Sequence, residues 1–249
     1  MTSLGGGLHT PLVSPSRVDE ITDRLVTAIA IGEYLPGARL PSERDLAASL
    51  KVARTTVRAA IAAVVELGLL ETQRGRWGGS FVRETRPAAS GGAVQRTLAG
   101  KWEALRDTSE AISMIHGTVA RAAAENRLEE DVVLLRERLE RFRDAESGLA
   151  SQKADEQLHL AIVNAARNET LKNLLFDLES QVSIAAPAHP WGGPEGMREM
   201  ELRSLRDHVN LVEAICDSRA DDAANIAREH VKIDFELLED ALRRSGIDR

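Results

Sequence analysis

Apolar residues recur at spacings of three and four along most of this chain, and that rhythm predicts a mainly helical protein. Val18, Ile21, Leu25, Ala28 and Ile29 mark a first helix from about Ser16 to Ile31, stopped by Gly32 and followed by the turn Leu35-Pro36-Gly37. Ser42 stands as an N-cap with Asp45 three positions on, so a short helix is expected from Glu43 to about Leu50. A tight turn at Lys51-Val52 leads into a third helix, from Arg54 to about Leu67, with Val57, Ile61, Val64 and Val65 inward and Gly68 as its stop. Two short extended runs then flank Arg74-Gly75-Arg76-Trp77-Gly78-Gly79, which predicts a β-hairpin. Placed after three helices, it would be the wing of a winged helix.

From about Glu84 to Gly100 the pattern loosens around Pro87 and Gly91-Gly92, and reads as a linker with a helix opening near Val94. Beyond it, helical stripes return: Val132, Leu135, Leu139, Phe142; then Leu171, Leu174, Leu175, Leu178, Val182; then Leu202, Leu205, Val209, Val212; then Ile226, Ile233, Leu237. Pro187, Pro190, Gly192, Gly193 and Pro194 interrupt them with one loop. No strand-like alternation stands out, so an all-α bundle is expected. The expected organisation is a tail over 1–15, a winged helix-turn-helix over 16–83 and a linker over 84–100. An all-helical domain follows over 101–241, with a short tail over 242–249.

Composition sharpens this picture in three places. Aromatics make up only 3% of the chain, so the core must be Leu, Ile, Val and Ala, which favours helices. The net charge of −7 argues against nucleic acid until it is divided: Arg44 to Arg86 holds eight basic and four acidic residues, or +4, leaving −11 for the remainder. A single cysteine, Cys216, excludes an intrachain disulfide and fits a reducing compartment. The first sixteen residues lack a signal peptide's charged start, and no apolar run approaches the roughly 18 residues of a membrane span, so a cytoplasmic protein is expected.

The third helix opens with Arg54, Thr55, Thr56 and Arg58, residue types that reach base edges and phosphates from a helix in the major groove. Arg44, at the start of the preceding helix, is placed for a phosphate or an adjacent base. Arg74, Gly75 and Arg76 at the wing tip suit the minor groove or the backbone. The competing reading, solvated charges on a small helical subdomain, is disfavoured by the ordered series of capped helix, Arg/Thr helix and basic wing. The stretch Ile31-Gly32-x-x-Leu35-Pro36-Gly37-x-x-Leu40-Pro41-Ser42-Glu43-Arg44-Asp45-Leu46, with Val52-x-Arg54-Thr55-Thr56-Val57-Arg58, resembles the signature of the GntR family of bacterial transcription regulators. The resemblance covers about residues 16 to 83. It implies a homodimer on a short, roughly palindromic operator, with Arg44, Arg54, Thr55, Thr56, Arg58 and Gly75 as DNA contacts.

In the second half, Asp155 and His159 lie four apart on one helix face bordered by Leu158, Ile162 and Ala166. His208 sits beside Leu205, Val209 and Val212, and His230 on the stripe of Ile226, Ile233 and Leu237. Four polar side chains turned into an apolar bundle need compensation. A divalent cation supplies it, with zinc the leading candidate and nickel, manganese or iron suited to the same donors. The alternative makes each histidine an ordinary core residue with a local hydrogen bond. Asp-x3-His, then Asn168 and Leu171, then His208, Asp222 and His230 resemble the all-helical FCD effector domain of FadR-type GntR regulators, over about 101 to 241. That resemblance implies a metal held by the four residues and a small organic acid or sugar acid bound against it.

One departure stands out. Such domains often carry an Arg and then a Glu a turn later on their first helix, where this chain reads Ile112-Ser113-Met114-Ile115-His116. His116 is a candidate substitute in the pocket, and Arg121, Arg203 and Arg206 are candidate partners for an acid; His9 and His189 have no assignable role. The leading function is a metabolite-responsive, DNA-binding regulator. A metal that is structural, or is itself the signal, is the alternative. A metalloenzyme fused to a DNA-binding module ranks last, because no base or nucleophile stands beside the cluster.

Overall fold

The computed structural model describes residues 16–30, 32–76, 78–84, 90–182 and 196–244. The expected tail with His9, the Pro/Gly loop with His189, and Trp77 lie outside the described residues.

The first helix, α1 (Arg17–Ala30), starts where Ser16 and Asp19 cap each other: the Asp19 amide donates to the Ser16 hydroxyl at 3.1 Å and the Ser16 amide to the Asp19 carboxylate at 3.2 Å. It ends before Gly32, whose φ of 81° is the left-handed conformation that glycine takes without steric cost. Ser42 caps α2 (Glu43–Ser49) by accepting the Asp45 amide at 3.2 Å, as the sequence predicts. After a turn through Lys51 comes α3 (Arg54–Glu66). Leu25 and Ile29 of α1, Leu46 of α2, and Val57, Ala60, Ile61 and Val64 of α3 form one core. Each large aliphatic residue buried there is worth about 1.5–3 kcal/mol relative to exposure. Val65, expected inside, is only partly buried.

The wing is an antiparallel pair, β1 (Leu70–Gln73) with β2 (Gly79–Val82), in register Leu70 to Val82 and Gln73 to Gly79. Arg39 bridges to Phe81 and donates to the Gly78 carbonyl at 2.6 Å, tying β2 to the chain between α1 and α2.

The second unit is helical throughout the described residues: α4 (Ser90–Asn126), α5 (Glu129–Asp144), α6 (Leu149–Ala165), α7 (Glu169–Val182), α8 (Met197–Cys216), α9 (Ala220–His230) and α10 (Lys232–Arg244). Most of the expected linker is therefore helix, since α4 begins four residues before Val94. Gly91 and Gly92 fall in its first turn, where their cost of about 1 kcal/mol each is outweighed by the length that follows. Likewise α10 carries three residues past the expected end at 241. Gly117 lets α9 close on α4: a Cβ there would lie 2.9 Å from the Ala224 carbonyl oxygen.

Two stripes differ from expectation. On α8 the buried residues are Glu201, Ser204, His208, Leu211, Val212, Ala214, Ile215 and Cys216, while Leu202 is exposed. The true face carries polar residues in its first half, so apolar periodicity selects a face displaced by about one position. The stripe spanning Ile226 to Leu237 is broken at Val231, where α9 ends and α10 begins.

The two units meet through specific contacts. Leu105 of α4 joins the first core, and Trp102 stacks on Phe235 of α10 at 5.1 Å between ring centres. The buried Gln152 amide on α6 donates to the carbonyls of Gly32 and Glu33 at 3.0 and 3.2 Å. Leu35 packs with Phe142 of α5, and Arg24 of α1 donates to the Ser180 carbonyl of α7 at 3.0 Å. No helix among the described residues is long and apolar enough to cross a membrane.

Candidate functional site

Three helices deliver the histidines to one point. Asp155 and His159 sit one turn apart on the buried face of α6, His208 in the middle of α8, and His230 on the last turn of α9. Their Nε2 atoms form a closed triangle: His159 to His208 is 3.1 Å, His208 to His230 is 2.9 Å, and His230 to His159 is 3.3 Å. All three rings are buried, His208 completely. The Asp155 carboxylate flanks the triangle, with Oδ1 3.4 Å from His208 Nε2 and 3.8 Å from His159 Nε2. All four residues singled out from the sequence are thus brought together.

The geometry itself is informative. A neutral imidazole has one N–H, and a hydrogen bond needs it aimed along the N···N line. Three nitrogens that face a common point are poorly served among themselves, because lone pair meets lone pair or hydrogen meets hydrogen. One electrophile takes all three lone pairs together. The three histidines could therefore hold a metal ion, and spacings of this size are those of neighbouring donors around a cation with bonds of about 2.0–2.1 Å.

The surroundings hold the donors in place. Asp207 Oδ2 lies 3.3 Å from His230 Nδ1, leaving Nε2 turned to the cluster. The Phe142 ring packs edge-on to His208 at 4.9 Å between centres. Glu201, two turns before His208 and 2% exposed, accepts from the Ser147 hydroxyl at 3.0 Å and the Gly148 amide at 2.8 Å, fixing the start of α6 against α8. Asn168 caps α7 by accepting the Leu171 amide at 3.1 Å, and Asp222 pairs with Arg219 at 2.7 Å at the start of α9. These motif positions shape helices and do not reach the cluster.

Of the candidate effector residues, His116 alone comes beside the histidines. It is buried on α4, its ring edge-on to His159 at 6.1 Å, and its Nε2 is 3.0 Å from Glu179 Oε1 of α7. Arg121 is engaged at the surface by Asp221, which raises its pKa. Arg203 pairs with Glu236, and Arg206 is exposed. At 100° per residue, positions five and two before His208 turn away from the face of α8 that carries His208.

On the first unit, Arg54 and Thr55 are exposed at the start of α3, with Thr56 half-buried and Val57 fully inside. Arg44, Arg74, Gly75 and Arg76 are exposed as expected. Gly75 has a φ of 113°, and the Gly78 amide donates to its carbonyl at 2.9 Å to close the tip. Arg58 is exposed but engaged: its guanidinium makes three hydrogen bonds of 2.7 to 3.1 Å to the Glu43 carboxylate. That pairing holds the Glu43 carboxyl below the usual carboxylate range. Sequence spacing missed Glu43, Arg39, Asp207 and Glu179, because each acts on a residue of another element or a distant turn.

Comparison with known proteins agrees with this architecture. Residues 17–82 match the model of bacterial regulatory proteins of the gntR family, and residues 107–232 match the FCD domain, about half of the chain. The transcriptional regulator LutR of Bacillus subtilis is 33% identical over 60% of this chain and 68% of its own. An uncharacterised HTH-type regulator of Mycobacterium tuberculosis is 32% identical over 85% of this chain and 81% of its own. Among solved structures, McbR/YncC of Escherichia coli aligns over 91% of this chain and 99% of its own at 19% identity, with a TM-score of 0.47. With a winged helix-turn-helix followed by a helical FCD domain, the chain belongs to the GntR family of bacterial regulators and is a DNA-binding transcriptional regulator, as its matched relatives are.

Proposed function

We propose that this chain is a FadR-type regulator whose affinity for its operator is set by a small organic acid or sugar acid. The acid binds at a divalent metal held by Asp155, His159, His208 and His230. The observation that carries the reading is the closed triangle of Nε2 atoms with a carboxylate on its flank. Zinc leads, and nickel, manganese or iron suits the same donors. When bound, the cation supplies a Lewis-acid position for a carboxylate oxygen.

The protein's own residues carry the signal onward. Gln152 lies one turn before Asp155 on α6 and grips the Gly32 and Glu33 carbonyls at the end of α1. Phe142 touches His208 on one side and Leu35 on the other. A shift of α6 or α8 against the cluster therefore bears directly on the α1–α2 segment of the winged helix. A ligand acts this way only by binding one arrangement more tightly than the other. On the DNA side, Arg54, Thr55, Thr56 and Arg58 enter the major groove, Arg44 meets the backbone, and Arg74, Gly75 and Arg76 reach the neighbouring groove. The active species is a cytoplasmic homodimer on a roughly palindromic site.

The test uses a duplex selected by the full-length protein from a randomised library. Its affinity is measured with metal-loaded protein, after chelation, and with added carboxylic acids. The reading expects some acid to shift affinity only while metal is bound. A chelator that lowers thermal stability but leaves the acid response intact makes the metal structural. A chelator that changes DNA affinity with no acid effect makes the metal the signal.

A further inference from the structure

A buried carboxylate stands beside the histidine cluster. Glu179 of α7 is only 7% exposed. Its Oε1 meets His116 Nε2 at 3.0 Å, while its Oε2 is buried with no hydrogen-bond partner among the described residues. A buried acceptor left in that state is costly, more so when the group is charged, and a ligand donor would satisfy it. His116 in turn lies T-shaped against His159, one of the proposed metal ligands, at 6.1 Å between ring centres. The cluster and the carboxylate are thus neighbours, separated by a single imidazole.

The chemistry at this spot is unlike what the family resemblance implies. A guanidinium there would welcome a second carboxylate on the ligand. This chain has Ile112 and His116 on that stretch of α4 and Glu179 opposite, while Arg121 and Arg203 are engaged by Asp221 and Glu236. The subsite is an acceptor and not an anion trap.

We propose that the effector is a monocarboxylate bearing a hydrogen-bond donor at its far end, a hydroxyl or an ammonium, and that Glu179 Oε2 receives this donor and excludes dicarboxylates. The inference rests on the metal-centred reading above. The ligand's carboxylate turns to the metal, and its donor end to Glu179. A dicarboxylate of the same length would set oxygen against oxygen at a buried site.

The experiment titrates full-length protein by calorimetry, first with zinc alone and then, once loaded, with matched acids of three to five carbons. Each length is offered with four ends: unsubstituted, ω-hydroxy, ω-amino and ω-carboxy. The expected result is that the best ω-hydroxy or ω-amino acid binds at least about tenfold tighter than the dicarboxylate of its length. In Glu179→Gln, whose amide also donates, that preference should fall by about tenfold. The hydroxyl and amino arms tell which donor is used. Equal or tighter binding of the dicarboxylate to the wild type overturns the proposal, as does no binding by any acid. So does an unchanged preference in a folded Glu179→Gln, which would leave Glu179 as a partner of His116 only. Should that variant not fold, the wild-type series decides alone. Failure of zinc to bind in the first titration counts against the metal-centred reading itself and is seen before any acid is added.

Discussion

Replacing Glu43 by glutamine tests how the recognition helix is set. In the structure Arg58 reaches back from α3 to the first turn of α2 and is gripped by both carboxylate oxygens of Glu43. The pair is well exposed, with 62% of the Arg58 side chain and 30% of the Glu43 side chain open to solvent. Its contribution to stability is therefore small, about 0.2–1 kcal/mol, and Glu43→Gln should lower the melting temperature by no more than about 4 °C. The sign with pH follows from the depressed Glu43 pKa. Its stabilisation is present above the unfolded-state pKa and fades as pH falls through the lower, folded value. The larger effect falls on DNA. Glu43 fixes where the guanidinium points, and a base-directed arginine is worth about 1–3 kcal/mol of discrimination. Freed from its clamp, Arg58 also becomes one more loose cation near phosphate, with a negative charge removed. Fluorescence anisotropy on selected and scrambled duplexes at two salt concentrations reads both terms. The expected outcome is a smaller ratio of specific to non-specific affinity, by about fivefold or more, and a steeper salt dependence on scrambled DNA by up to about one ion. An unchanged ratio with an unchanged salt slope would refute the positioning role.

Three further outcomes follow from named contacts. Gln152→Met keeps the volume but removes two donors to the Gly32 and Glu33 carbonyls. It should cost about 1–3 kcal/mol, and calorimetry with anisotropy should show acid binding retained while the acid-induced change in DNA affinity shrinks. Asp207→Asn weakens the group that orients His230 and should lower metal affinity about 10–100-fold in a competition titration, with little change in fold by circular dichroism. Gly117→Ala drives a methyl toward the Ala224 carbonyl and the Arg228 side chain. Thermal melts should show a loss of about 1–3 kcal/mol, and an unchanged melting point would mean the α4–α9 contact is looser than described.

Much of the fold is readable in the chain because local chemistry marks it. Ser42 with Asp45 starts α2, Gly68 stops α3, and the glycines after Gln73 turn the wing. The α5 stripe Val132, Leu135, Leu139 and Phe142 is buried as a whole because no polar residue interrupts it. On α8 the same logic slips by one position, since the face that turns inward carries the polar residues Glu201, Ser204 and His208. The metal-ligand candidates were legible for the converse reason: Asp155, His159 and His230 are conspicuous as polar residues on apolar faces. Their companions were not. Glu179 is 63 residues from His116, and Gln152 about 120 from Gly32, and no periodicity relates such pairs. The three arginines suggested as anion partners show the limit from the other side. Residue type alone proposed them, and in the structure Arg121 and Arg203 are engaged by the carboxylates of Asp221 and Glu236.

The central claim is that one divalent cation sits among the three imidazoles. Anomalous diffraction from crystals of the full-length protein, collected at the absorption edges of zinc, nickel, iron and manganese, tests it most directly. The account predicts one peak per chain, about 2.0–2.3 Å from the Nε2 atoms of His159, His208 and His230, with Asp155 completing the set. Loaded crystals with no peak inside that triangle, or with their only peak elsewhere on the chain, would contradict it.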